Sequence, residues 1–407
     1  MAASTLTADP PVGDLGRLAG TILSDLRYAP PGELSRVVDP TGMLNPTGGA
    51  RASLGPTGLG TSAARLLQRN NAVDGANDPL PALFCPGPLR DNPALGREVN
   101  DRVVAWAQDV GIYRNNLDRL RSCDFGRFMM LSHPATDDPD RLVAATKCLV
   151  AEWAADDYYV DEVSLGADPM TVGSRLAKLH AIVDPARLPR RYAAEFNAQM
   201  GLEPIAVAFR SAMEHLAKYA SVTQMARFQH QMAILFLAWT QEADWHANGR
   251  TPSVWEYLVQ RHLNSYLPPM ILVDVVAGYE LAPQEFYHPL VREAYTLAGD
   301  ANVLLNDLYS GAGEADTDHN LGSVLTAEEG LTRRETVRRT VELHNELMHR
   351  FVAIAAPLSS TGSPQLRRFF ADTWAWLGGS RQWHATTGRY HDSTADHEST
   401  MSEEFRR

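Results

Sequence analysis

From Arg97 to about residue 386, apolar residues recur at helical spacing, and no stretch alternates apolar and polar as a half-buried strand would. In REVNDRVVAWAQDVG, Val99, Val103, Trp106 and Val110 fall on one stripe. The segment DPDRLVAATKCLVAEWAADDYY opens with Asp137 or Asp138 as a cap and Pro139 in its first turn. The same periodicity predicts helices around 170–183, 188–219, 222–246, 252–265, 267–279, 284–310, 328–357 and 363–386. Helix after helix with short connections leaves an all-α bundle as the fold class. Several of these helices are apolar all round, as the central helices of a large bundle are.

The ends of the chain differ from this middle. Residues 1–80 are rich in Pro, Gly, Ser, Thr and Ala and nearly lack aromatics, so they read as a mobile extension, with one short helix at LGRLAGTILSDL. A helical domain then spans 81–391, and a polar tail covers 392–407. Between extension and bundle, the prolines of LFCPGPLRDNP suit an extended strap. With 37 basic and 49 acidic residues the net charge is −12, which argues against a nucleic-acid partner. Cys85, Cys123 and Cys148 show no metal spacing, and an odd count is poor material for a disulfide framework, so a reducing cytoplasm is expected. No run of 18 apolar residues occurs, so no spanning helix and no membrane partner are expected.

Two polar segments interrupt buried-looking runs. NDLYSGAGE follows the apolar AYTLAGDANVLL and carries Asn306, Ser310 and Glu314 at i, i+4 and i+8. On a helix this spacing sets an amide, a hydroxyl and a carboxylate along one face, within about 12 Å. Such hard donors suit Mg²⁺. The competing reading is a solvated helix face. The second segment follows CLVAEWAA and presents Asp156, Asp157, Asp161 and Glu162 within seven residues. Carboxylates crowded at a helix C-terminus oppose both one another and the helix dipole, and divalent cations relieve both. Two such segments on separate helices could clamp a diphosphate through Mg²⁺. The chemistry is then metal-assisted departure of pyrophosphate, leaving a carbocation that needs an apolar, water-poor, aromatic pocket.

DDYYVDE followed about 150 residues later by NDLYSGAGE resembles the bacterial class I terpene synthases. The resemblance implies an α-helical bundle, three Mg²⁺ ions, and Asp156, Asp157, Glu162, Asn306, Ser310 and Glu314 as the metal-binding set. Among these, Asp156 is the first choice for direct contact. Arg261 falls where the family has its diphosphate-sensing arginine. Asn264 and Ser265 fall on the linker and effector positions of a helix break, consistent with Pro268-Pro269. Arg389 and Tyr390 match the C-terminal pair that closes over the diphosphate. Phe125 and Trp376 are the favoured pocket aromatics among candidates that include Trp153, Tyr158, Trp239, Tyr279 and Trp374.

The strap, DFGRFMMLSHP and the long DDxxxxE spacing narrow the likeness to cyclases of 2-methylgeranyl diphosphate. That implies closure to a bornyl cation and water capture, or a terminal proton loss to an alkene. Cyclisation of geranyl or farnesyl diphosphate is the alternative. A non-enzymatic helical binding protein is a remote one. The resemblance further implies a homodimer and an upstream methyltransferase that uses S-adenosylmethionine to methylate geranyl diphosphate. One departure is Gly313, where many members carry a basic residue before the last glutamate.

Overall fold

A computed structural model describes residues 81–161, 166–310 and 319–390, without the side chains of Asp161 and Tyr390. The extension 1–80, Glu162, Glu314 and the tail lie outside the described residues. Among the described residues every regular element is helical. The longer helices are α1 (Pro93–Val110), α2 (Phe125–Ser132), α3 (Pro139–Asp156), α4 (Val172–Val183), α5 (Arg190–Met200) and α6 (Pro204–Leu216). They continue with α7 (Val222–Asn248), α8 (Val254–Leu263), α9 (Pro289–Ser310), α10 (Leu321–Glu329), α11 (Arg333–Thr361) and α12 (Pro364–His384).

Local chemistry sets these boundaries. Asp138 caps α3, its side chain accepting from the Asp140 amide, and Pro139 takes the first position. Ser221 with Gln224 and Thr332 with Glu335 form capping boxes that start α7 and α11. Three predicted helices are divided. The expected 188–219 helix breaks between α5 and α6, where Pro204 opens the second piece; 284–310 breaks before Pro289. A proline suits the first turn of a helix and disfavours its interior, although α11 carries Pro357 near its end. The expected 267–279 helix is two single turns, Leu267–Met270 and Val273–Val276. Helix α10 was not anticipated; Asn320 caps it and Gly330, at φ 69°, ends it.

Helix α9 packs along α11 and α12, α2 lies between α1 and α12, and α3 packs on α1 and α6. The extended 81–92 segment forms the expected strap. Its Phe84 amide donates to Asn345 Oδ1 at 2.7 Å, and Arg381 Nη1 donates to the Cys85 carbonyl at 2.7 Å. Helix α12 admits the strap and α2 only because it carries two glycines at the crossing. A Cβ on Gly378 would stand 2.2 Å from the Gly87 carbonyl oxygen, and one on Gly379 would stand 2.5 Å from the Leu131 backbone. Among the described residues no helix is long and apolar enough to cross a membrane.

Candidate active site

Helix α3 brings a buried run to its end at half-buried Asp156. The backbone then widens into a π-helical turn, Asp157–Asp161. Asp157 is buried and already engaged: Tyr113 Oη donates to Oδ2 at 2.5 Å, and Arg389 Nη2 donates to Oδ1 at 3.1 Å. Burial first, then the neighbouring carboxylate, pushes the Tyr113 phenol well above its ordinary range, so it remains a donor. The Arg389 guanidinium also lies 4.0 Å from the Trp153 ring centroid. Arg389 and Tyr390 belong to a short 3₁₀ turn after α12.

The second cluster grows on α9, where Asn306 and Ser310 are half-buried beside the buried Asp307 and Tyr309. Arg261, from the last turn of α8, donates through Nη2 to Asn306 Oδ1 at 3.1 Å and to Asp307 Oδ1 at 2.6 Å. Tyr257 donates to the other oxygen of Asp307 at 3.0 Å. Helix α8 stops at Asn264, as the motif spacing predicts, and Asn264 donates to Glu242 Oε2 at 3.2 Å. Ser265 is buried in the break, where its Oγ accepts from the Leu267 amide.

Neighbours fix which way the Asn306 amide faces. A guanidinium can only donate, so the atom toward Arg261 is the oxygen. On the other side, Asn306 Nδ2 lies 3.0 Å from Tyr266 Oη and 3.2 Å from His384 Nε2. His384 Nδ1 sits 2.9 Å from the Ser380 carbonyl, which can only accept, so the imidazole hydrogen is on Nδ1 and Nε2 is an acceptor. Burial pushes His384 down to about 4, keeping the ring neutral.

An aromatic wall links the clusters. Trp383, next to His384, stacks on Phe128 at 4.5 Å and on Phe125 at 5.6 Å, and meets Trp153 edge-on at 5.8 Å. Trp376 is fully buried beside Phe128 and Tyr266, at 5.4 and 5.9 Å. Phe125 and Trp153 thus pack in one stack beside Arg389, and Trp376 packs beside Tyr266. Trp374 instead packs on Phe351 and the strap's Phe84, and Tyr279 donates to Asp372. Sequence reasoning missed Asp307, Tyr266, Trp383 and His384. Asp307 adjoins Asn306 in the motif, and Trp383-His384 stands just before the Arg389-Tyr390 pair, so proximity to a motif was the available signal.

The model of terpene synthase family 2, C-terminal metal binding, matches residues 147–350, a span that contains Asp156, Arg261, Asn306 and Ser310. A 2-methylisoborneol synthase from Streptomyces lasalocidi is 35% identical over 358 residues, 84% of this chain and 74% of the relative. One from Saccharopolyspora erythraea is 36% identical over 323 residues, 78% and 91% of the two chains. The chain belongs to the terpene synthase family.

As a terpene synthase it superposes on the crystal structure of 2-methylisoborneol synthase from Streptomyces coelicolor in complex with Mg²⁺ and 2-fluoroneryl diphosphate. The TM-score is 0.73 at 32% identity, covering 77% of this chain and 98% of that one. The residues of this synthase fit Mg²⁺ by donor chemistry. Asp156, Asn306 and Ser310 offer a carboxylate, an amide oxygen and a hydroxyl, all hard oxygen donors. Among the described residues no three His, Cys, Asp or Glu side chains converge on one point. Mg²⁺ commonly takes the rest of its shell from water and substrate oxygens.

Proposed function

We propose that this terpene synthase is a Mg²⁺-dependent cyclase that converts 2-methylgeranyl diphosphate to 2-methylisoborneol. The observation that carries the reading is the aromatic wall of Phe125, Phe128, Trp153 and Trp383 between the Arg389–Asp157 and Arg261–Asn306 clusters. It sets two polar clusters against a buried aromatic interior. Similarity to 2-methylisoborneol synthases supports the choice of substrate.

In this reading Asp156, Asn306 and Ser310 hold Mg²⁺ together with Glu162 and Glu314, which lie outside the described residues. Bound Mg²⁺ would neutralise the leaving diphosphate. Arg261 and Arg389 donate hydrogen bonds to diphosphate oxygens, Arg261 through a fork already aligned by Asp307, with Tyr390 beside Arg389. Asp157 holds Arg389 and Tyr113 in place. The carbocation then isomerises to a linalyl type, closes to an α-terpinyl type, and closes again to a bornyl skeleton against the faces of Phe125, Trp376 and their neighbours, with Asn264 and Ser265 at the helix break. Water capture gives the tertiary alcohol. The catalytic unit spans 81–391 and functions as a homodimer, fed by a methyltransferase that acts on geranyl diphosphate.

A headspace product assay with Mg²⁺ and, separately, 2-methylgeranyl, geranyl and farnesyl diphosphate tests this. A dominant C11 bornane alcohol from the methylated substrate is expected. An exocyclic C11 alkene would reject the alcohol ending, and products mainly from the other two diphosphates would reject the substrate.

A further inference from the structure

Three elements remote in sequence converge on one amide. Tyr266, in the broken segment after α8, and His384, the last residue of α12, are both buried, and both reach Asn306 of α9. Tyr266 Oη, His384 Nε2 and Asn306 Nδ2 form a closed triangle with sides of 3.0, 3.1 and 3.2 Å. Neither Tyr266 nor His384 has a part in the chemistry above.

An asparagine amide is nearly symmetric in shape, so a half-turn exchanges its oxygen and its NH₂ group with little change in packing. Its neighbours therefore choose its direction, and here the choice begins at a backbone carbonyl. The Ser380 carbonyl, 2.9 Å from His384 Nδ1, can only accept, which puts the hydrogen on Nδ1 and a lone pair on Nε2. That lone pair takes the hydroxyl hydrogen of Tyr266 at 3.1 Å, and the phenol oxygen accepts in turn from Asn306 Nδ2 at 3.0 Å. On the opposite side Arg261 Nη2, a donor only, lies 3.1 Å from Asn306 Oδ1. A flipped amide would set its oxygen against the Nε2 lone pair and its hydrogens against the guanidinium. An amide oxygen has two lone pairs, and Arg261 uses one of them.

We propose that Tyr266 and His384 are positioning residues that lock the Asn306 amide with its oxygen, and not its NH₂ group, presented as a metal ligand. The inference rests on the assignment of Asn306 to Mg²⁺ in the proposed function. Both residues act through the NH₂ end of this one side chain. Direction matters because that end carries hydrogens and partial positive charge, and repels a cation. Hydrogen-bond partners that orient a ligand are worth about 10–100-fold in metal affinity. The dependence is particular to an amide. A carboxylate has an oxygen at either end, so an aspartate at position 306 would need no such lock.

The test titrates Mn²⁺, read by its electron spin resonance, into protein with inorganic pyrophosphate and no substrate. Tyr266→Phe, His384→Phe and Asn306→Asp are compared with the unaltered protein, and each of the first two is also combined with the third. The melting temperature of each ligand-free protein establishes that it is folded. In Tyr266→Phe and His384→Phe the Mn²⁺ concentration at half-saturation should rise about 10-fold. Asn306→Asp should keep its metal binding, and in that background the same two changes should cost no more than about 3-fold, a coupling that a merely structural role would not produce. Unchanged half-saturation in folded Tyr266→Phe, or an equal loss in both backgrounds, overturns the inference. So does a folded Asn306→Asp that no longer binds Mn²⁺. If His384→Phe does not fold, Tyr266→Phe and its combination with Asn306→Asp decide the matter by the same ratio. An unaltered protein that binds no Mn²⁺ with pyrophosphate rejects the proposed function itself, before any variant is made.

Discussion

Two buried arginine–aspartate pairs in this molecule have the same chemistry and opposite employment. Arg227 and Asp274 are 1% and 0% exposed, with Nη1 and Oδ2 3.3 Å apart. Their other partners are framework: Arg227 donates to the Leu281 carbonyl, and Asp274 accepts from the Leu281 amide. Arg261 and Asp307 are 15% and 2% exposed and 2.6 Å apart, but the same Arg261 nitrogen also reaches Asn306. The first pair is held by itself and the Leu281 backbone, although Arg227 Nε and Asp274 Oδ1 have no hydrogen-bond partner. The second leaves one edge open toward the site. Burial and charge alone do not separate a structural ion pair from one proposed to meet substrate; here the pairs differ in whether the further partner is loop backbone or a proposed site residue.

This contrast can be broken in graded ways. Asp274→Ala strands a buried guanidinium and should destabilise the fold by about 3–5 kcal/mol in denaturant titration, with little change in rate per folded molecule. Arg261→Lys should do the reverse. It keeps the charge beside Asp307 but loses the fork, so pyrophosphate release should drop about 10²–10³-fold in steady-state assays while the chain still folds. Equal effects of both substitutions on stability and rate would erase the distinction. Asp157→Asn weakens the hold on Arg389 and should raise the Mg²⁺ concentration for half-maximal activity by about 10-fold or more.

A third pair sharpens the comparison from the surface. Asp140 lies 2.5 Å from Arg102 and accepts from Tyr219 and His215, with 40% of its side chain exposed. The Tyr219 hydrogen bond, followed by those of His215 and Arg102, holds this carboxyl below its ordinary value of 3.8. A depressed carboxyl stabilises the fold above its unfolded pKa and loses that contribution as pH falls through the folded one. Melting temperature should therefore decline below about pH 4, and Asp140→Asn should flatten that decline while shifting stability at neutral pH by no more than about 1 kcal/mol. The smallest effect is expected from removing residues 1–80, which should leave melting and activity of the remainder unchanged.

The contrast also marks what was legible in the sequence. Helical period, caps and the two acidic motifs are local, so the all-α class, the strap, the α8 break and the positions of Asp156, Asn306 and Ser310 could be read from it. Arg261 stood out from Arg227 only by its spacing to Asn306. Helix splits at Pro204 and Pro289 were harder, because the apolar stripe continues across them. Tyr266 and His384 are 118 residues apart and meet only in the folded chain, so no window of sequence reveals that they hold one asparagine between them.

The seat of Arg389 on Trp153 has an optical consequence. An indole with a cation over its face at 4.0 Å emits in that charge's field. On the proposed function Arg389 exchanges Asp157 for a diphosphate oxygen, and that movement of charge should shift the emission of Trp153. Trp153 would then serve as a built-in reporter of diphosphate binding. Trp153→Phe would subtract that signal from the light of its other seven tryptophans, out of eight in the chain.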